Sequence, residues 1–161
     1  MEWNGLISTF PIPFKRLILV FVLVLGSGFL SGMLFVGETT SGNPKGITEQ
    51  YLGNEDDENA EVMKFKKSEK EMLTLIHNHV LSMSIIFFLL GVLLGTCKLK
   101  SSWKSFLMLE PFISIVLTFG GLYGLWKGLL WMKYLVMLSG TVMVLVFISS
   151  SIIIISQVLK K

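Results

Sequence analysis

The chain has 161 residues, of which 52% are hydrophobic and only 16% charged, with a mean hydropathy of +0.70. A water-soluble domain of this size is excluded by that balance. The net charge of +3 does not point to nucleic acid, because the 14 Lys and Arg residues flank apolar runs instead of gathering on one polar face. One cysteine, Cys97, and two histidines likewise exclude an intramolecular disulfide and a four-ligand Cys/His zinc site.

The first predicted element is residues 17–36, an uncharged run preceded by Lys15 and Arg16. A bilayer core of about 30 Å needs roughly 20 apolar residues in helix, which this run supplies. The basic pair and the small residues Gly26, Ser27 and Gly28 partly fit a cleavable signal. A signal core is roughly 7–15 residues long, however, and this run continues to Val36, so a retained span is expected.

Residues 37–71 form a long connection. Gly37, Gly42, Pro44, Gly46 and Gly53 predict repeated turns without a helix in its first half. In its second half the acidic residues Glu55, Asp56, Asp57, Glu58 and Glu61 precede Lys64, Lys66, Lys67 and Lys70. That order complements a helix dipole and predicts a helix beginning near Asn59 or Ser68. Ser68 is the preferred cap, because Ser68 and Glu71 make an S-x-x-E capping box. The acidic cluster lacks the alternation and glycine of a calcium-binding loop and reads as solvated charge.

Residues 72–97 are the second span, uncharged but for the imidazoles His77 and His79 near its start. Ionisable groups within a span are costly and mark candidate sites. Two positions apart on a helix, the two imidazoles point about 200° from each other, so they cannot ligate one metal or sandwich one haem within a chain. A single axial histidine, or ligation shared with another subunit, stays open. The simpler reading places both near the interface, bonded to water or headgroups.

The third span, residues 106–126, contains Glu110 immediately before Pro111. Proline disfavours helical geometry in its predecessor, which predicts a helix starting at Pro111 with Glu110 at the inner interface. The alternative is a buried carboxylate that carries protons or binds a cation. The fourth span is residues 134–159. Pairs of glycines four apart (Gly28 and Gly32, Gly91 and Gly95, Gly120 and Gly124, Gly124 and Gly128) suggest close helix packing on three of the spans.

Together these runs predict an all-α polytopic membrane protein, four transmembrane helices in an antiparallel bundle forming a single membrane domain over residues 1–161. Lys and Arg divide seven against seven between the two sides. Five on the loop side sit in the long connection, and short loops weigh more, so both termini are expected in the cytoplasm. Trp126, Trp131 and Tyr134 would form an outer interfacial belt, with Trp103 on the inner side. Nucleotide-binding glycine loops and the common hydrolase and zinc-protease motifs are absent from the sequence.

From Ser41 to Gly95 the chain resembles a group of small four-span inner-membrane proteins of Gram-negative bacteria. The matching pieces are Gly46-Ile47, Tyr51, Gly53-Asn54-Glu55, Met63-Lys64-Phe65, Lys67-Ser68 and Glu71-Met72-Leu73, followed by His77 and His79. The resemblance implies that the loop and the histidine-bearing helix form one unit in the bacterial inner membrane. The expected role is a non-enzymatic small subunit or assembly partner, bound to other proteins or to copies of itself. The alternative is an electron-transfer subunit that binds haem b or a metal through His77 or His79.

Overall fold

The structure is a computed structural model that describes residues 5–58, 60 and 62–160. A short 3-10 turn, Ile7–Thr9, precedes five helices: α1 (Ile12–Thr40), α2 (Pro44–Leu52), α3 (Glu69–Gly95), α4 (Ser101–Trp126) and α5 (Met132–Val158). No strand occurs among the described residues. The helices α1, α3, α4 and α5 are each long and apolar enough to cross a bilayer. At 1.5 Å per residue, 26 to 29 residues reach about 40 Å, enough for the hydrocarbon and part of both interfaces.

Local chemistry sets the ends of α1 and the starts of α2 and α3. Pro13 lies in the first turn of α1, where its missing N–H costs nothing. Ser41 then takes a left-handed conformation with φ 51°, followed by Gly42 at φ 61°, and the chain turns back. The expected turn-only segment is in fact α2. Asn43 caps it by accepting a hydrogen bond from the Gly46 N–H at 2.8 Å, and Pro44 occupies the first helical position. Glycine and proline here start and accommodate a helix instead of breaking one. At α3 the expected capping box is present: the Ser68 hydroxyl accepts from the Glu71 N–H while the Glu71 carboxylate accepts from the Ser68 N–H. Asn59, the other start considered, lies outside the described residues, as do Glu61 and Lys161.

α4 departs from expectation. It begins at Ser101 and continues through Pro111, so Glu110 lies inside the helix and not at its start. Packing on two sides compensates for the lost backbone bond, because Pro111 is buried where α4 lies between α3 and α5.

α4 is the centre of the bundle, with ten buried residues against three in α1. α1 leans on α5 and α2 and turns most of its apolar surface outward, as a lipid-facing helix does. Its main anchor is aromatic: Phe29 stacks on Phe147 of α5 with centroids 3.9 Å apart, and Phe87 of α3 meets both rings edge-on. One further polar link joins α4 to α5. Ser139 donates its only hydroxyl hydrogen to the Leu135 carbonyl, so Thr118 donates to Ser139 across the interface at 2.7 Å.

The chain ends and the α3–α4 connection share one face of the bundle. There the Ile7 N–H bonds to the Thr96 carbonyl, Lys15 donates to the Lys160 carbonyl, and Gln157 both accepts from and donates to the Lys98 backbone. The loop with α2 and the α4–α5 connection lie at the other face.

The glycine spacing locates packing only in part. A Cβ added at Gly28, Gly32, Gly95, Gly120 or Gly128 meets nothing within 4 Å. The close approach of α4 to α5 is at Gly121, where a Cβ would lie 2.9 Å from Val136 Cγ2, and at Gly124, 3.3 Å from Met132 Cγ. These two glycines are three apart and not four. The spacing rule therefore marks Gly124 but misses Gly121, the tighter contact.

Candidate functional site: the loop platform and the start of α3

The loop is a built platform. α2 lies against the α1 end and over α4 and α5, with Ile47 buried and Tyr51 half-buried beneath it. Burial pushes the Tyr51 phenol above its ordinary pKa. Gly46 permits this seat, since a Cβ there would lie 1.9 Å from the Thr40 carbonyl oxygen. Beyond α2, Gly53 turns at φ 85° where a Cβ would crowd the Lys66 nitrogen at 2.8 Å and the Lys64 oxygen at 2.9 Å.

Asn54 then locks the returning segment. Its N–H donates to the Lys64 carbonyl, its side-chain oxygen accepts from the Lys64 N–H at 2.6 Å, and its amide donates to the Val62 carbonyl. The Lys67 N–H reaches the Tyr51 carbonyl, and Lys64 Nζ donates to the Thr39 carbonyl at the end of α1. A cation at that end also complements the helix dipole. Lys45 bridges Glu49 and Asp57, and those carboxylates raise its pKa, the Asp57 hydrogen bond most of all.

Trp126 joins the platform to the spans. Its indole N–H donates to the Lys67 carbonyl at 2.7 Å, 59 residues away in sequence. Lys66 and Lys127 lie over its ring, at 5.3 Å and 4.6 Å from the centroid, and Lys127 also pairs with Glu69 in the first turn of α3. An indole with its polar edge bonded and its face against cations suits the border of a membrane. On the rim of this platform Val62, Met63 and Phe65 are exposed at 66%, 58% and 68%.

Most of the residues that carried the resemblance thus have structural work: Gly46 and Gly53 at close approaches, Asn54 and Lys64 in the lock, Ser68 and Glu71 in the cap, and Met72 fully buried. His77 and His79 do not share it. Both are exposed on α3. His79 Nδ1 is 2.8 Å from the Leu75 carbonyl oxygen, an acceptor, so that ring nitrogen carries a proton and donates it. That ring rests against Phe119 of α4, with centroids 5.2 Å apart. The two imidazoles lie two positions apart on one helix, so they cannot bind one haem from opposite sides within a chain. Among the described residues no three His, Cys, Asp or Glu side chains gather as a metal site.

Glu110 is half-buried on α4, and the hydroxyl of Ser114, one turn on, bonds to its Oε1. Its position within the helix was hidden by Pro111.

The sequence matches a family of proteins described as a transmembrane helical domain, Aq_1264_TM, over residues 41–161. The chain belongs to this family. The matched region takes in the loop, α2 and the spans α3, α4 and α5, and leaves out α1, the helix with the least burial against the others. No curated protein and no solved structure matches the chain. Membership establishes a membrane protein with transmembrane helices and a bilayer as its surroundings.

Proposed function

We propose that this chain is a small, non-enzymatic subunit or assembly partner of a larger complex in the bacterial inner membrane, and that its loop platform is the docking surface. The observation that carries the reading is the pairing of a rigid scaffold with an apolar rim. Val62, Met63 and Phe65 project from a segment that Asn54, Gly53 and Trp126 fix in place. Ordering a loop costs conformational entropy, and a pre-ordered apolar edge spares that cost when a partner binds. A photoreactive phenylalanine analogue in place of Phe65 is expected to crosslink in native membranes to one protein, with the product lost when Met63→Asp is added. Adducts to lipid alone would defeat the reading.

Both termini are placed in the cytoplasm and the platform on the opposite side, because the short flanks hold Lys15, Arg16, Lys98, Lys100 and Lys104 on the face of the chain ends. Asn54 is a poor site for a probe, since its side chain holds the loop together. Exposed Glu55 is better. Glu55→Cys is expected to react in intact cells with a membrane-impermeant maleimide. The native thiol adds little background, because Cys97 is fully buried. Labelling of Glu55→Cys only after permeabilisation would reverse the topology.

A further inference from the structure

Among the carboxylates of the four spanning helices, Glu38 lies in the last turn of α1, and Glu69 and Glu71 in the first turn of α3. Glu110 alone lies deep, nine residues into α4 and about 14 Å from its start at 1.5 Å per residue. Its two oxygens have unequal surroundings. Oε1 has the Ser114 hydroxyl, on a side chain that is 2% exposed, whereas Oε2 is occluded and has no hydrogen-bond partner.

No cation among the described residues pairs with it. The ion pairs among the described residues are Lys45 with Glu49 and Asp57, and Lys127 with Glu69. Lys104, on the preceding turns of α4, donates to the Gly95 carbonyl. On the helices packed beside this part of α4, α5 carries no titratable group between Tyr134 and Lys160, and α3 carries none between His79 and Cys97. The local backbone adds an acceptor and not a donor: Pro111 has no N–H, so the Leu107 carbonyl lacks its usual α-helical donor. An ionised carboxylate would leave an occluded anionic oxygen without a hydrogen-bond donor in a medium of low dielectric.

We propose that Glu110, positioned by Ser114, is a proton-binding site within the membrane part of the protein. This goes beyond the docking role, and it stands on α4 alone, independently of the loop. The ligand is the proton, and a single unpartnered oxygen is what a proton requires; a metal cation needs several oxygens converging on one point.

The full chain in liposomes is treated with dicyclohexylcarbodiimide, an apolar reagent whose N=C bond adds the O–H of a protonated carboxyl to give an acylisourea, which rearranges to a stable acylurea of the same atoms. One adduct, mapped by mass spectrometry to Glu110, is expected at mildly acidic pH, declining as the pH rises and absent in Glu110→Gln. Ser114→Ala removes the hydrogen bond that Glu110 receives among the described residues, so a changed pH profile of labelling is expected. A role limited to packing would leave that profile unmoved. Infrared difference spectra against Glu110→Gln provide a reading that does not depend on access of the reagent, with a protonated-carboxyl band expected in the native chain. Absence of that band at mildly acidic pH overturns the proposal. So does protection of Glu110 by sodium at constant pH, which would make the site one for a metal cation.

Discussion

Gly46→Ala is expected to release the platform from the spans and to lower stability by about 3 kcal/mol, at the upper end of overpacking costs. The added Cβ would lie 1.9 Å from the Thr40 oxygen and 2.6 Å from the Thr40 carbonyl carbon. Both are backbone atoms in the last residue of a 29-residue helix, so no rotamer change relieves the clash. α2 must lift instead, exposing Ile47 and Tyr51 and straining the Asn43 cap. Because Lys67 is tied to Tyr51 on one side and to Trp126 on the other, the displacement should reach the indole. The checks are thermal unfolding in detergent, Trp fluorescence and tryptic cleavage after Lys64, Lys66 and Lys67, which should accelerate at least tenfold if opening falls by about 1.4 kcal/mol or more. Gly42→Ala is the control: its φ of 61° strains an alanine, but nothing lies within 4 Å of the new Cβ, so about 1 kcal/mol is expected. Equal behaviour of the two variants would show that α2 is not seated on α1.

How much of this was legible from the sequence depended on the range of the interaction concerned. The four spans could be read because a run of some 20 uncharged apolar residues has few ways to satisfy its backbone in a bilayer. The Ser68–Glu71 box could be read because both partners lie within one turn. α2 was missed because Gly42, Gly46 and Gly53 look like breakers, although Asn43-Pro44 is itself a helix-start signal. What makes Gly46 necessary is Thr40 of another helix, which no local pattern contains.

The same limit applied to the candidate sites. Pro111 argued for a helix beginning at that point, and only the packing of α4 between α3 and α5 shows that the helix passes through it. Glu110 consequently lies deeper than expected. The 59-residue link from Trp126 to Lys67 had no signal beyond the general preference of tryptophan for interfaces. His77 and His79 were conspicuous because imidazoles are rare in spans, yet their rarity says nothing about which way they face. The structure puts both on exposed surface, with His79 alone engaged by Phe119 and Leu75.

Gly121→Leu should be the most disruptive single change among the spans, while its neighbour Gly120→Leu should be close to neutral. The first carbon of the new side chain already conflicts: its Cβ would lie 2.9 Å from Val136 Cγ2, with Leu135 Cδ2 in contact at 3.8 Å, before three further carbons are placed. Val136 is buried and β-branched, with little rotamer freedom on a helix, so α4 and α5 must separate. Separation also breaks the nearby Thr118–Ser139 hydrogen bond, less than one helical turn away on each chain segment. In hydrocarbon, packing and such polar links are what hold helices together, since lipid tails compete equally for apolar surface. A loss of about 3 kcal/mol is expected for Gly121→Leu and under about 0.5 kcal/mol for Gly120→Leu, whose Cβ meets nothing within 4 Å. Gly91→Leu should fall between them, because its nearest neighbour is the flexible Met108 side chain at 4.0 Å. Val136→Ala should restore part of the stability of Gly121→Leu by removing the struck methyl, a coupling that a double-mutant cycle measures directly. Unfolding in mixed detergent, followed by Trp fluorescence, gives all of these values on one scale. Equal loss at Gly120 and Gly121 would mean that α4 is rotated relative to α5 from the arrangement described, and a rescue absent in the double mutant would remove Val136 as the contact that limits their approach.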